Sequence, residues 1–210
     1  MVDLKSISEN LINGKAPKVK ELVQQALNEA VEPSNILKEG LIAGMDIVGA
    51  KFKAGEFYIP EVLIAARAMH SGMEILKPQL IKSGAKSSGR FAVGTVKGDV
   101  HDIGKNLVAM MMEGAGFEII DLGTDVSPEQ FVDAAKNKGV QVIGMSSLLT
   151  TTMPVMRVTI EALKIAGLKD KIKTIIGGAP VTQSYADEIG ADAYASDAAS
   201  AVDKVKELLK

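Results

Sequence analysis

The sequence predicts two parts of different fold class: an all-α four-helix domain over residues 1–82, then an α/β domain of flavodoxin-like, doubly wound type with five parallel strands over residues 90–210. Three observations carry this. Apolar residues recur at spacings of three and four throughout the first part, the period of a helix with one buried face. A small polar stretch, residues 83–89 (SGAKSSG), follows and reads as a flexible linker. Beyond it, short apolar runs alternate with helical stretches, the mark of βαβ units in a parallel sheet.

In the first part, a short helix at about residues 4–13 comes first. In the next, Val19, Leu22, Val23, Ala26, Leu27 and Ala30 share one face of a helix that reaches Val31. Pro33 and Ser34 interrupt the pattern, and Ser34 is placed to cap a third helix to about Lys53. Gly55 ends it, and Pro60, at a first-turn position, opens a fourth to about Lys82. Short loops imply antiparallel neighbours, hence a small bundle. In the second part the strands fall at 91–96, 117–122, 140–145, 172–176 and 192–195. Helices fall between and after them, at about 104–115, 128–138, 153–167, 181–189 and 198–209. In such a domain ligands bind at the carboxyl ends of the strands.

Composition narrows the chemistry. The 210 residues are 47% hydrophobic and 24% charged with net charge −2, which fits an ordinary globular protein and not a nucleic-acid-binding surface. No apolar run is long enough to span a membrane, and MVDLKSISENLING is not a signal peptide, so a cytoplasmic protein is expected. There is no Cys, which removes disulfides, thiolate-held metals and cysteine nucleophiles together. Only two His remain, His70 and His101.

The first strand runs into Thr95-Val96-Lys97-Gly98-Asp99-Val100-His101-Asp102-Ile103-Gly104-Lys105-Asn106. A P-loop needs four residues between its glycines and a Ser or Thr after the Lys. Here Gly98 and Gly104 are separated by five residues, Asn106 follows Lys105, and two acids would repel phosphate. The dinucleotide-binding glycine fingerprint is absent as well. What the loop offers is His101 with Asp99 two residues before it, a pairing that orients an imidazole and raises its basicity as a metal ligand. Asp99 and Asp102 suit a hard cation, but no further ligand cluster accompanies them. A single protein ligand suffices where a macrocycle supplies four positions. The plain alternative is a βα turn with a surface His.

The third strand ends in Ser146-Ser147-Leu148-Leu149-Thr150-Thr151-Thr152. These small hydroxyl residues either bind a ligand at the strand mouth or cap the next helix. The fourth strand ends in Gly177-Gly178, which either admits a flat ligand to the backbone or makes a tight turn. All three motifs stand at carboxyl ends of one sheet.

Asp99-x-His101-x-x-Gly104, Ser146-x-Leu148 and Gly177-Gly178 resemble the three-part signature of cobalamin-binding domains, with 45 residues from His101 to Ser146. The helical part, with Gly44 to Phe52 and Gly55 to Glu61, is similar to the cap module of methionine synthase. It is more similar still to the stand-alone corrinoid proteins of anaerobic methyltransferase systems.

The resemblance implies a cobalamin or related cobamide held base-off, with His101 as lower axial ligand to cobalt, Asp99 accepting the other imidazole N–H, and Thr152 extending the relay where methionine synthase has Ser. It places Val100, Asp102, Ile103, Gly104 and Leu148 against the cofactor, Ser146 and Thr150 at its displaced lower base, and Gly177 and Gly178 beside its nucleotide tail. Phe52 matches the cap residue that shields the methyl group, and Ile59 stands where methionine synthase has Leu. The implied function is to carry a methyl group on cobalt, between Co(I) and methyl-Co(III). A substrate-specific methyltransferase would load it, an acceptor methyltransferase acting on a folate or thiol would unload it, and a reductive activation protein would service it. The chain is then a carrier subunit and not a complete enzyme, with linker 83–89 as the hinge that moves the cap aside.

Methylamines, aryl methyl ethers, methanol and betaines feed such proteins; the compact length favours methylamine or aryl ether. Two alternatives are a cobalamin-dependent regulatory module and the small subunit of an adenosylcobalamin mutase. The first lacks its DNA-binding module here, and Phe52 would crowd the adenosyl group of the second. His70 reads as structural or solvent-facing, the Met110-Met111-Met112 run as core, and Glu56 and Glu61 as solvated or capping.

Overall fold

The computed structural model describes residues 2–84 and 87–210, and the chain divides into two compact units. One is helical and runs through Ser88 with Gly114–Gly116; the other holds Gly89–Glu113 and Phe117–Lys210. Ala85 and Lys86 of the expected linker lie outside the described residues. Ser83 belongs to the preceding helix, and Gly84 closes that helix in a left-handed conformation, φ 68°.

The helical unit contains α1 (Leu4–Ile12), α2 (Ala16–Asn28), a single turn α3 (Pro33–Asn35), α4 (Ala43–Lys53) and α5 (Ile59–Ser83). Its core is Ile7, Leu11, Val19, Val23, Ile36, Leu41, Val48, Val62 and Leu76, all fully buried. Three details differ from the pattern reading. α2 stops at Asn28, three residues early, because Ala30 turns left-handed with φ 57°. Ser34 does not cap the third helix: Pro33 enters the first turn after Glu32, and no side chain caps it. Between α3 and α4 the chain winds as a π-helix over Ile36–Ile42. Apolar spacing does not distinguish this wider turn from an α-helix. At the start of α5, Glu61 caps, its Oε2 accepting the Tyr58 N–H at 2.9 Å.

The second unit is a five-stranded parallel sheet, β1 (Arg90–Thr95), β2 (Glu118–Asp121), β3 (Val142–Ser146), β4 (Lys173–Gly177) and β5 (Ala193–Ala195). Its spatial order is β2-β1-β3-β4-β5. The helices are α6 (Ile103–Gly114), α7 (Pro128–Asn137), α8 (Pro154–Ile165), α9 (Gln183–Ile189) and α10 (Ala198–Leu208). This is the flavodoxin-like arrangement, whose ligand crevice opens where the strand order reverses, between β1 and β3. Phe91, Phe131, Ile143, Met156 and Ile160 are fully buried within it. Gly144 lies where a Cβ would come 2.5 Å from the Phe91 ring, so the strand gives up a side chain to seat the aromatic. Met111 and Met112 are core.

The register determines where the site forms. Thr95 pairs with Ser146, Ser146 with Gly177, and Gly177 with Ala195. The last residues of four strands therefore form one row, and the three motif loops leave the sheet from adjacent points along it. Among the described residues no helix is long and apolar enough to cross a membrane.

Candidate functional site

The loop from β1 to α6 is held from several sides. The Thr95 hydroxyl, fully buried, donates to the His101 carbonyl at 2.8 Å. The Gly98 N–H donates to Asp125 Oδ1 at 2.7 Å, and the Asp125 N–H donates back to the Asp99 carbonyl at 3.0 Å. This folding turns the Asp99 carboxylate inward, fully buried, and leaves the His101 side chain 49% exposed.

Asp99 accepts five hydrogen bonds. Oδ1 takes the His101 imidazole Nδ1 at 2.7 Å and the His101 N–H at 3.1 Å. Oδ2 takes the Leu148 N–H at 2.8 Å, the Leu149 N–H at 3.3 Å and the Thr152 hydroxyl at 3.1 Å. Burial pushes the carboxyl up, but the bonds from the His101 ring, the Leu148 and His101 N–H groups and the Thr152 hydroxyl outweigh it and hold Asp99 well below the usual carboxylate range. Asp99 is thus an ionised acceptor. In the neutral imidazole the proton therefore sits on Nδ1, which leaves the lone pair on Nε2.

The same two loops carry exposed apolar side chains: Val100 and Ile103 at 72% each beside His101 in sequence, and Leu148 at 44% and Leu149 at 41%, whose N–H groups reach Asp99. A nitrogen lone pair among solvent-facing apolar side chains suits a flat, largely apolar macrocycle whose metal needs one more ligand. It does not suit a bare ion. Asp102 is exposed with Oδ2 accepting from Asn106 Nδ2 at 3.1 Å, and among the described residues no group of three or more His, Cys, Asp or Glu could hold a metal.

The hydroxyl row is not a helix cap. α8 begins at Pro154 after Met153, and no side chain caps it. Thr152 is spent on Asp99, Ser146 is half-buried at the end of β3, and Thr150 is exposed. The residue that sequence reasoning missed is Ser147, fully buried, with Oγ 2.7 Å from Thr152 Oγ1. It sits beside the signature Ser146 with nothing to single it out. Also missed is Lys105, only 3% exposed, with Nζ 2.7 Å from both oxygens of Asp121. In sequence it resembled a failed phosphate-binding lysine; in the fold it ties α6 to the end of β2.

Gly104 has open space where a side chain would begin. Gly177 is half-buried and Gly178 exposed, and the packing behind Gly178 is backbone of the protein itself. Phe52 and Ile59 lie in the helical unit, Phe52 half-buried on α4 and Ile59 42% exposed at the first residue of α5. His70 is exposed on α5. Glu56 is exposed and pairs with Lys51 at 3.8 Å.

A doubly wound domain with an Asp-oriented imidazole at its strand mouth, preceded by a helical unit, defines a corrinoid-binding protein. The chain belongs to the B12 binding domain family: one such domain model matches residues 89–205 and a second, also of a B12 binding domain, matches residues 4–77. It is 46% identical over 208 residues to the dimethylamine corrinoid protein of Methanosarcina barkeri, covering 98% of this chain and 97% of that one. Among solved structures, it is similar to a cobalamin-binding protein from Desulfitobacterium hafniense, with TM-score 0.83, 32% identity and complete coverage of both chains. It is also similar to the methanol:cobalamin methyltransferase complex of Methanosarcina barkeri, with TM-score 0.86 and 29% identity, covering 97% of this chain and 78% of that one.

Proposed function

We propose that this protein carries a methyl group on the cobalt of a bound corrinoid, taking it from a methylamine through a substrate-specific methyltransferase and giving it to an acceptor methyltransferase. The observation that carries the reading is the pair His101–Asp99, an outward imidazole whose Nδ1 is held 2.7 Å from a buried carboxylate at the strand mouth. The methylamine donor rests on the relationship to a dimethylamine corrinoid protein. A folate or thiol acceptor and a reductive activation protein complete the set of partners.

When bound, the corrinoid supplies a cobalt that accepts and releases a methyl group. The rest belongs to the chain. With the corrinoid bound base-off and His-on, His101 Nε2 would be the atom of this chain that holds the cobalt, and Asp99 would fix the ring orientation and increase the donor strength of Nε2. Because Asp99 is held ionised, it stays available as the acceptor of the Nδ1 proton. Val100, Ile103 and Leu148 would exclude water from the bound corrinoid, and Asp102 and Gly104 would border it. Ser146 and Thr150 would hold the displaced base, and Gly177 and Gly178 would border the nucleotide tail. Phe52 and Ile59 are assigned to shield the upper face on the strength of the resemblance.

The test is reconstitution. The purified chain, loaded with cobalamin and reduced with titanium(III) citrate, is expected to lose its Co(I) absorbance when dimethylamine and a dimethylamine methyltransferase are added. If the absorbance persists with methyltransferases for dimethylamine, monomethylamine, trimethylamine, methanol and aryl ethers alike, the carrier role is wrong.

A further inference from the structure

Four oxygens meet behind His101. Thr152 Oγ1 lies 3.1 Å from Asp99 Oδ2, 2.7 Å from Ser147 Oγ and 3.0 Å from the Leu149 carbonyl. Ser147 Oγ lies 3.0 Å from that same carbonyl. Two hydroxyl protons must serve these contacts, and where they go can be counted. The Leu149 carbonyl already accepts two backbone N–H groups, from Thr152 at 3.1 Å and Met153 at 3.3 Å, which occupies both lone pairs. The Asp99 carboxylate, which meets N–H donors on both of its oxygens, is the stronger acceptor. The Thr152 proton therefore goes to Asp99. Thr152 has only that one proton, so the 2.7 Å contact with Ser147 requires the proton of Ser147.

The geometry points to Ser147 as a further positioning residue of this site: it donates to Thr152, commits the Thr152 proton to Asp99 Oδ2, and so fixes the carboxylate in the orientation in which Oδ1 meets His101 Nδ1–H. The inference deepens the axial-ligand reading above and rests on it. Ser147 is suited to the task because its position is determined independently. Its N–H donates to the Gly177 carbonyl at 3.2 Å, and its own carbonyl presses against Gly178. A hydroxyl fixed in this way orients its neighbour with little further loss of side-chain freedom. Because Ser147, Thr152 and Asp99 stand head to tail, donation to Thr152 also makes its hydroxyl the stronger donor to Asp99.

The test uses the apo protein, so it does not depend on cobalt. With only two His in the chain, labelling with 15N-histidine gives two imidazoles, and the exposed His70 serves as internal reference. Well above the ordinary imidazole range, the ring nitrogen shifts report the ratio of the two neutral tautomers. Wild type is expected to hold His101 mainly as Nδ1–H. Ser147→Ala is expected to raise the Nε2–H share about twofold, Ser147→Gly to do the same, and Ser147→Thr, which keeps the hydroxyl, to restore it. Thr152→Val is expected to shift the ratio further in the same direction. If Ser147→Ala and Ser147→Gly lower Tm but leave the His101 ratio at its wild-type value, Ser147 is only structural and the inference is overturned. That result would leave the axial-ligand reading standing, because cobalt ligation is read separately from the spectrum of the loaded protein.

Discussion

An added Cβ at Gly178 would lie 1.8 Å from the carbonyl oxygen of Ser147. The loops after β3 and β4 are therefore pressed backbone to backbone, and Gly178 also holds φ at 131°, a conformation that L side chains rarely adopt. Gly178→Ala is expected to destabilise the protein by about 3 kcal/mol or more, through clash and strain together. Gly177→Ala, whose Cβ would meet the Ala195 carbonyl at 3.0 Å, is expected to cost less. Denaturant unfolding of the two variants measures the difference. Equal stabilities would contradict the packing argument.

The ion pair of Lys105 and Asp121 should respond unevenly to truncation. Lys105 is almost wholly buried, whereas the Asp121 side chain is 48% exposed. Asp121→Ala leaves a buried ammonium with, among the described residues, the Asn106 Oδ1 contact at 2.6 Å, at an expected cost of about 3 kcal/mol. Lys105→Met fills the same space without charge and leaves Asp121 to water, so about 1 kcal/mol is expected. Thermal unfolding distinguishes the two, and the reverse order would rule out this assignment of burial.

Asp99→Asn tests the relay. Both carboxylate oxygens accept hydrogen bonds, so in either orientation the amide NH2 would face donors. The expected result is a His–cobalt bond weakened about 10–100-fold, visible as a larger His-off fraction in the absorption spectrum at limiting cofactor. A spectrum identical to wild type would show that His101 needs no carboxylate.

Acid stability should depend on Asp192. Burial pushes its carboxyl up, but bonds from Lys169 and from the Thr174 hydroxyl and N–H outweigh this and lower it below the ordinary value. Its folded-state pKa then lies below its unfolded one. The unfolded chain binds more protons through the ordinary carboxylate range, so the stabilisation is complete above that range and is lost as pH falls through the folded value. Asp192→Asn is expected to cost about 2 kcal/mol at neutral pH and to flatten the acid limb of urea-unfolding stability below about pH 4. Asp121 and Asp197, also lowered, keep some slope in the variant.

The five strands were legible because each is a short apolar run bounded by turn residues, and a buried parallel sheet demands that pattern. The loop carrying Asp99 and His101 was legible because its residue types are unusual at a strand end. The π-helix at Ile36–Ile42 was not, since its apolar spacing matches that of an α-helix. Ser147 was missed because its role lies in a proton count around Thr152 and the Leu149 carbonyl, which exists only once the chain has turned back on itself. Asp125, which fixes Gly98, is a loop aspartate with no motif around it.

The account depends most on His101 Nε2 as the cobalt ligand. The direct measurement is the electron paramagnetic resonance spectrum of the protein loaded with cobamide and poised as Co(II), prepared from cells supplied with 15N-histidine. Imidazole ligation predicts that the axial nitrogen superhyperfine lines change from the 14N triplet to the 15N doublet, and that His101→Ala abolishes the isotope effect while His70→Ala leaves it intact. A triplet that persists with 15N-histidine would mean that the lower ligand is the cofactor's own base, and the central claim would be wrong.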